Sequence, residues 1–130
     1  MSVVAADTSL LGKTRQIMEQ LKQGEFVAGM EAFYADDVVN IESTGVRTEG
    51  KATIIANEIE LLKNVKAFHG VEVISMGGDD DGAGNGTTFV EYSIRVDMND
   101  GSTFNPDQVQ VIRWRDGKAY ENRFYYNPSF

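Results

Sequence analysis

A few short segments of this chain carry side chains that could do chemistry. Val38, Asn40 and Glu42 alternate with Val39 and Ile41 in a run rich in β-branched residues. In a strand over 38–42, Val38, Asn40 and Glu42 share one face. A carboxylate there can serve as a general base when partial burial raises its pKa toward working pH. It can equally be a solvated strand end beside the Thr44-Gly45 turn. Gln108 and Gln110 alternate with Val109 and Val111. Either the glutamines line a cavity and the valines pack on a partner subunit, or the valines are core and the glutamines face water. Ile112 and Trp114 continue the glutamine side as a core face would, which favours the cavity. Arg95 and Asp97, two apart, lie on one face and could position a water, or form a surface or interface ion pair. Val90, Tyr92, Ile94, Val96 and Met98 form an apolar stripe on the opposite side, which favours the ion pair.

His69 is the only histidine. Histidine is the usual proton shuttle near neutral pH, but a lone one is more often a surface or structural residue. A metal site would need partners at suitable spacing, and none stands out. Asp79-Asp80-Asp81-Gly82-Ala83-Gly84 has the look of a calcium loop. It lacks an oxygen ligand at the fifth position, and Val90 stands where the closing Glu should be, so a mobile, solvated loop is expected. The glycines there do not lie between a strand and a helix, so no phosphate cradle follows. Tyr120, Asn122, Phe124 and Tyr126 share a face of the last strand and suit a pocket wall for a small apolar or aromatic ligand, or plain core packing. No metal and no cofactor are expected.

The elements that must position these residues read clearly. A length of 130 residues fits one domain, 1–130. With 42% hydrophobic and 25% charged residues it has the balance of a globular protein. The net charge of −8, with basic residues scattered, argues against nucleic acid, whose binding needs a basic face. Cysteine is absent, which excludes disulfides and thiolate chemistry. Met1 to Thr8 lacks a basic start and an apolar core, and no apolar run reaches membrane-spanning length. A cytoplasmic location is the expectation. Helical periodicity predicts helices over 9–23, 25–34 and 51–64, the last with Ile55, Ile59 and Leu62 as its inward stripe. Strands are expected at 68–76, 87–98, 103–115 and 118–127, with Asn99-Asp100-Gly101 and Asp116-Gly117 as hairpin turns. Helices followed by antiparallel strands make an α+β pattern.

Phe33-Tyr34-Ala35-Asp36-Asp37 before the first strand, Gly50-Lys51 opening the third helix, and Arg115-Asp116-Gly117-Lys118 between the last strands occur in this order. On these residues the chain resembles the SnoaL-like and ketosteroid-isomerase-like proteins of the nuclear transport factor 2-like superfamily. The resemblance covers nearly the whole chain. It implies a cone, a strongly curved antiparallel sheet wrapped around three helices, with a ligand cavity, often in a homodimer. It does not fix function, since such relatives include isomerases, cyclases, dehydratases, epoxide hydrolases and non-catalytic binders. It places Glu42 where ketosteroid isomerases carry the Asp that abstracts a proton next to a carbonyl. It places Ile17 and Gln110 where those enzymes carry their acidic donors, Tyr and a protonated Asp. A neutral amide is the weaker donor, so steroid isomerisation is not expected. Gln110 or Asn122 would orient the carbonyl. The pocket it implies is lined by Ile17, Asn40, His69, Tyr92, Gln108, Gln110, Asn122, Phe124 and Tyr126. Arg95 and Asp97 match part of an epoxide-hydrolase-like constellation, with Phe124 standing where its second Asp would be. Two readings remain: an isomerase- or cyclase-like enzyme with Glu42 as base, and a non-catalytic pocket protein.

Overall fold

The computed structural model describes residues 7–126. Helix α1 spans Leu10–Lys22. The Ser9 hydroxyl accepts from the Gly12 N–H at 3.0 Å, satisfying one of the orphan donors of its first turn. Its buried face, Leu10, Thr14, Ile17 and Met18, follows the helical repeat. The expected second helix over 25–34 contracts to α2, Ala28–Phe33, because residue 25 is irregular and 26–27 form a turn. Helix α3 spans Lys51–Leu62, but it is rotated from the expected stripe. Ile54 is buried, while Ile59 is 46% exposed. The inward face is Ile54, Glu58, Leu61 and Leu62.

The strands are β1 (Tyr34–Ile41), β2 (Arg47–Glu49), β3 (Val65–Asp80), β4 (Gly86–Met98), β5 (Thr103–Phe104), β6 (Asp107–Arg115) and β7 (Lys118–Tyr125). They form one curved, unclosed sheet in the order β2-β1-β7-β6-β4-β3, with β5 on β4. The pairing is antiparallel throughout except that β1 runs parallel to β7. That one pair departs from the expected all-antiparallel sheet. It can arise because β2, α3 and four further strands lie between the two in sequence, so no tight turn forces them antiparallel. β1 begins earlier than expected, with Asp36 and Asp37 exposed at a register shift between Tyr34 and Val39. The expected strand over 103–115 is broken after Phe104, where Pro106 has no N–H to give to a ladder.

Curvature comes from irregular pairing. Strand β3 shifts register against β4 three times, at Val65/Ala67, Phe68/Gly70 and Val73/Ser75. The glycine-rich run does not loop out. Gly77 to Asp80 pairs with Gly86 to Phe89, and only 81–85 turn. Gly78 has φ +149°, and a Cβ there would collide with the Thr87 carbonyl, so the close strand approach depends on glycine. The turn is tied by the Asp81 carboxylate, which accepts from the Ala83 N–H at 2.7 Å and the Asn85 N–H at 3.1 Å. A further shift between Arg113 and Trp114 puts both Ala119 and Asn122 inside. Tyr120, expected beside Asn122, instead lies half-buried under the Arg115 guanidinium, 4.7 Å from the ring centroid.

The three helices cover the concave face, whose narrow end is solid. Trp114, Leu10, Met18, Val38, Val90 and Ile112 are almost fully buried there. The Trp114 indole N–H donates to the Thr88 hydroxyl at 2.8 Å, which lies 2.8 Å from the Thr14 hydroxyl. Thr88 is 1% exposed, and the Thr14 hydroxyl donates to the Leu10 carbonyl, so replacing Thr88 with valine strands the indole N–H without changing shape much. Thr88→Val is expected to destabilise the fold by about 1–3 kcal/mol, read as an earlier urea midpoint at unchanged m-value. An unchanged midpoint would show that the threonine bridge is not needed.

Candidate active site

The wide end of the sheet is not filled by side chains. It holds a cavity of about 630 Å³, open on one side. Apolar walls come from Ile17 and Leu21 of α1, Met30 of α2, Leu61 and Leu62 of α3, and Ile94, Val96 and Met98 of β4. Aromatic rings add to them. Phe26, Tyr34, Tyr92, Phe104, Phe124 and Tyr126 all line the space. Phe104 stands edge-on to Tyr126 with centroids 6.1 Å apart, at the rim where Leu61 and Phe104 are exposed.

The polar lining is ordered by a chain of buried hydrogen bonds across four strands. The Tyr92 hydroxyl donates to Gln110 Oε1 at 3.2 Å. Gln110 Nε2 donates to Asn122 Oδ1 at 3.0 Å, and Asn122 Nδ2 donates to Asn40 Oδ1 at 3.0 Å. All four residues are at least nine-tenths buried. Burial pushes the Tyr92 and Tyr34 phenols far up, so both stay neutral donors at working pH. Gln108 lines the cavity at 8% exposure, and its carboxamide has no partner among the described residues.

Glu42 sits one residue beyond β1, at the corner of the β1–β2 hairpin. Its backbone N–H donates to the Val46 carbonyl at 2.9 Å, and its carbonyl accepts from the Gly45 N–H at 2.9 Å. These bonds fix the Glu42 backbone at the corner. Its carboxylate lines the cavity and accepts one hydrogen bond, from the Tyr126 hydroxyl at 3.3 Å. Burial raises its pKa, and the Tyr126 bond offsets this only in part. Glu58 enters the same space from α3. Its pKa is raised by burial and then by the negative charge of Glu42. Two carboxylates thus share a cavity in which neither has a cationic partner among the described residues.

The structure brings Glu42, Ile17, Asn40, Tyr92, Gln108, Gln110, Phe124 and Tyr126 to one cavity. Asn122 does not line it; at 0% exposure it stands behind, as a link between Gln110 and Asn40. His69 is not at the cavity. It is exposed on β3 and 2.7 Å from Asp97, because Phe68 pairs with the buried Val96 and the residues next to them, His69 and Asp97, face the other way. Arg95 is exposed, and neither it nor Asp97 lines the cavity. Glu58 is the residue that sequence reasoning missed. The signal was present in the Ile54, Glu58, Leu61, Leu62 spacing, which is as helical as the more apolar stripe beside it. Among the described residues no cluster of three or more His, Cys, Asp or Glu is placed to hold a metal ion. No helix of the described residues is long and apolar enough to cross a membrane.

Raised carboxyl pKa values have a sign for stability. The folded chain keeps protons on Glu42 and Glu58 that the unfolded chain has released above the ordinary value of 4.5. Their contribution is therefore fully present below that value and is lost as pH rises through the folded pKa values. Glu58→Gln is expected to raise the thermal midpoint at pH 7 by a few degrees and to match the parent near pH 4. A midpoint lowered at pH 7, measured by calorimetry, would mean that the Glu58 carboxylate is stabilised by a partner.

No protein-family model matches the sequence, and no curated protein matches it. Solved structures match its fold. One is a candidate SnoaL-like polyketide cyclase from Mesorhizobium loti, 24% identical, with a TM-score of 0.73 over 91% of this chain and 99% of that one. Another is a candidate isomerase from Bacillus subtilis, 18% identical, with a TM-score of 0.74 over 96% and 91% of the two chains. A third, from Catenulispora acidiphila, has a ketosteroid isomerase-like fold and is in complex with trimethylamine; it is 13% identical, with a TM-score of 0.67 over 88% and 85%.

Proposed function

We propose that this chain, whose fold is that of the SnoaL-like and ketosteroid isomerase-like proteins, binds a small and largely apolar molecule and abstracts a proton from it with Glu42. The observation that carries this reading is Glu42 itself. It is a partly buried carboxylate with a raised pKa, fixed at a hairpin corner, facing an aromatic-walled cavity. A carboxylate in that state is a stronger base than one in water, since its conjugate acid is harder to ionise. Gln108 and Asn40 supply neutral amide donors on the cavity wall for a substrate carbonyl. Gln110, expected in that role, is already bonded to Tyr92 and Asn122. The Catenulispora neighbour with trimethylamine supports small-ligand binding by this fold. Steroid isomerisation is not part of the reading, because Ile17 offers no hydrogen bond and Gln110 is a weak donor.

The test is proton exchange at the carbon next to the carbonyl of a bicyclic ketone such as tetralone, followed by NMR in deuterated buffer. The protein is expected to speed exchange, and Glu42→Gln to reduce that acceleration by about two orders of magnitude or more. Equal exchange by both proteins would remove Glu42 as the base. Binding of the ketone with no acceleration by either would favour a non-catalytic pocket protein.

The same reading includes a homodimer through the outer sheet face. Val109 and Val111 are half-buried there, and Phe89, paired with Val111, is 43% exposed. Tyr125, paired with Val109, is 51% exposed. Covering such a face by a two-fold contact is a common solution. Light scattering at micromolar concentration is expected to give twice the chain mass, and Val109→Lys to shift it toward the monomer. A monomer mass for the parent protein would end the idea.

A further inference from the structure

Resting on the reading that the cavity holds a small molecule, we infer that this molecule is a cation: an ammonium group with an apolar body, its charge placed between Glu42 and Glu58. The first ground is the charge of the lining. Glu25, Glu42 and Glu58 are its carboxylates, and among the described residues no Lys, Arg or His lines it. Glu25 is exposed, whereas Glu42 and Glu58 are half-buried and enter the cavity from two different elements, the β1–β2 corner and α3. An anionic ligand would add a third negative charge to a space of low dielectric, at a cost the lining cannot offset. A neutral ligand would leave both carboxylates desolvated and unpaired. A cation supplies the missing counter-charge to both.

The second ground is the wall itself. Tyr34, Tyr92, Phe124 and Tyr126 line the same cavity as the two carboxylates, and aromatic rings attract a cation through their quadrupoles. Carboxylates together with several aromatic faces form the kind of cage that recognises alkylated ammonium groups. The third ground is Gln108. It is nine-tenths buried, lines the cavity, and its carboxamide has no partner among the described residues. That leaves one neutral hydrogen-bonding group free for a polar atom elsewhere on the ligand, such as a carbonyl. A bound ammonium would also favour the ionised form of Glu42, the form a base needs, so Glu58 is a positioning residue for the charge.

The experiment compares two probes of nearly equal shape by ligand-observed NMR competition. One is phenethyltrimethylammonium; the other is its neutral isostere with a quaternary carbon in place of the nitrogen. The cation is expected to bind at least about tenfold more tightly at neutral pH, a preference of roughly 1.4 kcal/mol. Glu58→Gln is expected to remove most of that preference while keeping affinity for the neutral isostere, which shows that the variant is folded. If Glu58→Gln loses both probes, Glu42→Gln serves as the second variant with the same expectation. An isostere that binds as well as the cation overturns the charge assignment and leaves the small-molecule cavity standing. A cation preference unchanged in both variants also overturns it. Failure of both probes to bind the parent protein removes the cavity reading along with the inference.

Discussion

The hydrogen-bond chain Tyr92–Gln110–Asn122–Asn40 is the constraint on which the cavity depends. It crosses β4, β6, β7 and β1 on the concave face, where a sheet of this kind would otherwise be filled with aliphatic side chains. Buried amides are costly when unpaired and specific when paired, because each has few ways to satisfy its donors and acceptors. Here each link fixes the next. Asn122 has no contact with solvent, so its two bonds leave it one orientation. Asn40 is thereby held, and Glu42 lies two residues further along the same face. The position of the carboxylate is thus set by an interior network as well as by its own hairpin corner.

That network also explains why the sheet divides into a solid end and a hollow one. Below it, Trp114, Val38, Val90 and Ile112 interdigitate with α1. Above it, the lining residues are rings and methyl-bearing side chains that reach inward without meeting. The parallel β1–β7 pair brings Asn40 beside Asn122, which no hairpin could do, since their strands are separated by most of the chain. The curved sheet and the amide chain are therefore two aspects of one arrangement: bulges bend the strands, and the amides hold them at the bend.

Much of this was legible in the residues. The Gln108, Gln110, Ile112, Trp114 alternation marks an inward face because its apolar end demands burial, and the two glutamines must follow by parity. Parity failed where a bulge intervened. Tyr120 reads as a neighbour of Asn122, but the shift at Arg113/Trp114 moves it outward. His69 was misplaced for another reason: its position came from the resemblance, whereas alternation from Phe68, paired with the buried Val96, already turns it outward. The glycine-rich run looked like a loop because glycine marks turns, while here its missing side chains permit close strand approach. Glu58 was hidden by a sounder rule. A helix on a filled core turns its most apolar stripe inward, which would be Ile55, Ile59 and Leu62. Helix α3 covers a cavity instead, so that rule loses its force, and a stripe containing a carboxylate can face in.

A fold that places two unpaired carboxylates in one cavity gives up stability to do so. Repulsion between them and loss of water both act against the charged forms, and the Tyr126 hydrogen bond to Glu42 compensates only in part. Glutamines at both positions would fit the same space without that cost. Residues that break a local rule without a compensating contact are where function is to be sought. In this chain they coincide with the cavity that side-chain packing leaves at the wide end of the sheet. The solid end, with its threonine–tryptophan bridge and nearly complete burial, supplies the stability that the hollow end gives up. The two ends meet at the buried amide chain and at Ile17, Tyr34 and Tyr92, which belong to the core and line the cavity as well, while the two carboxylates stand on the cavity side alone.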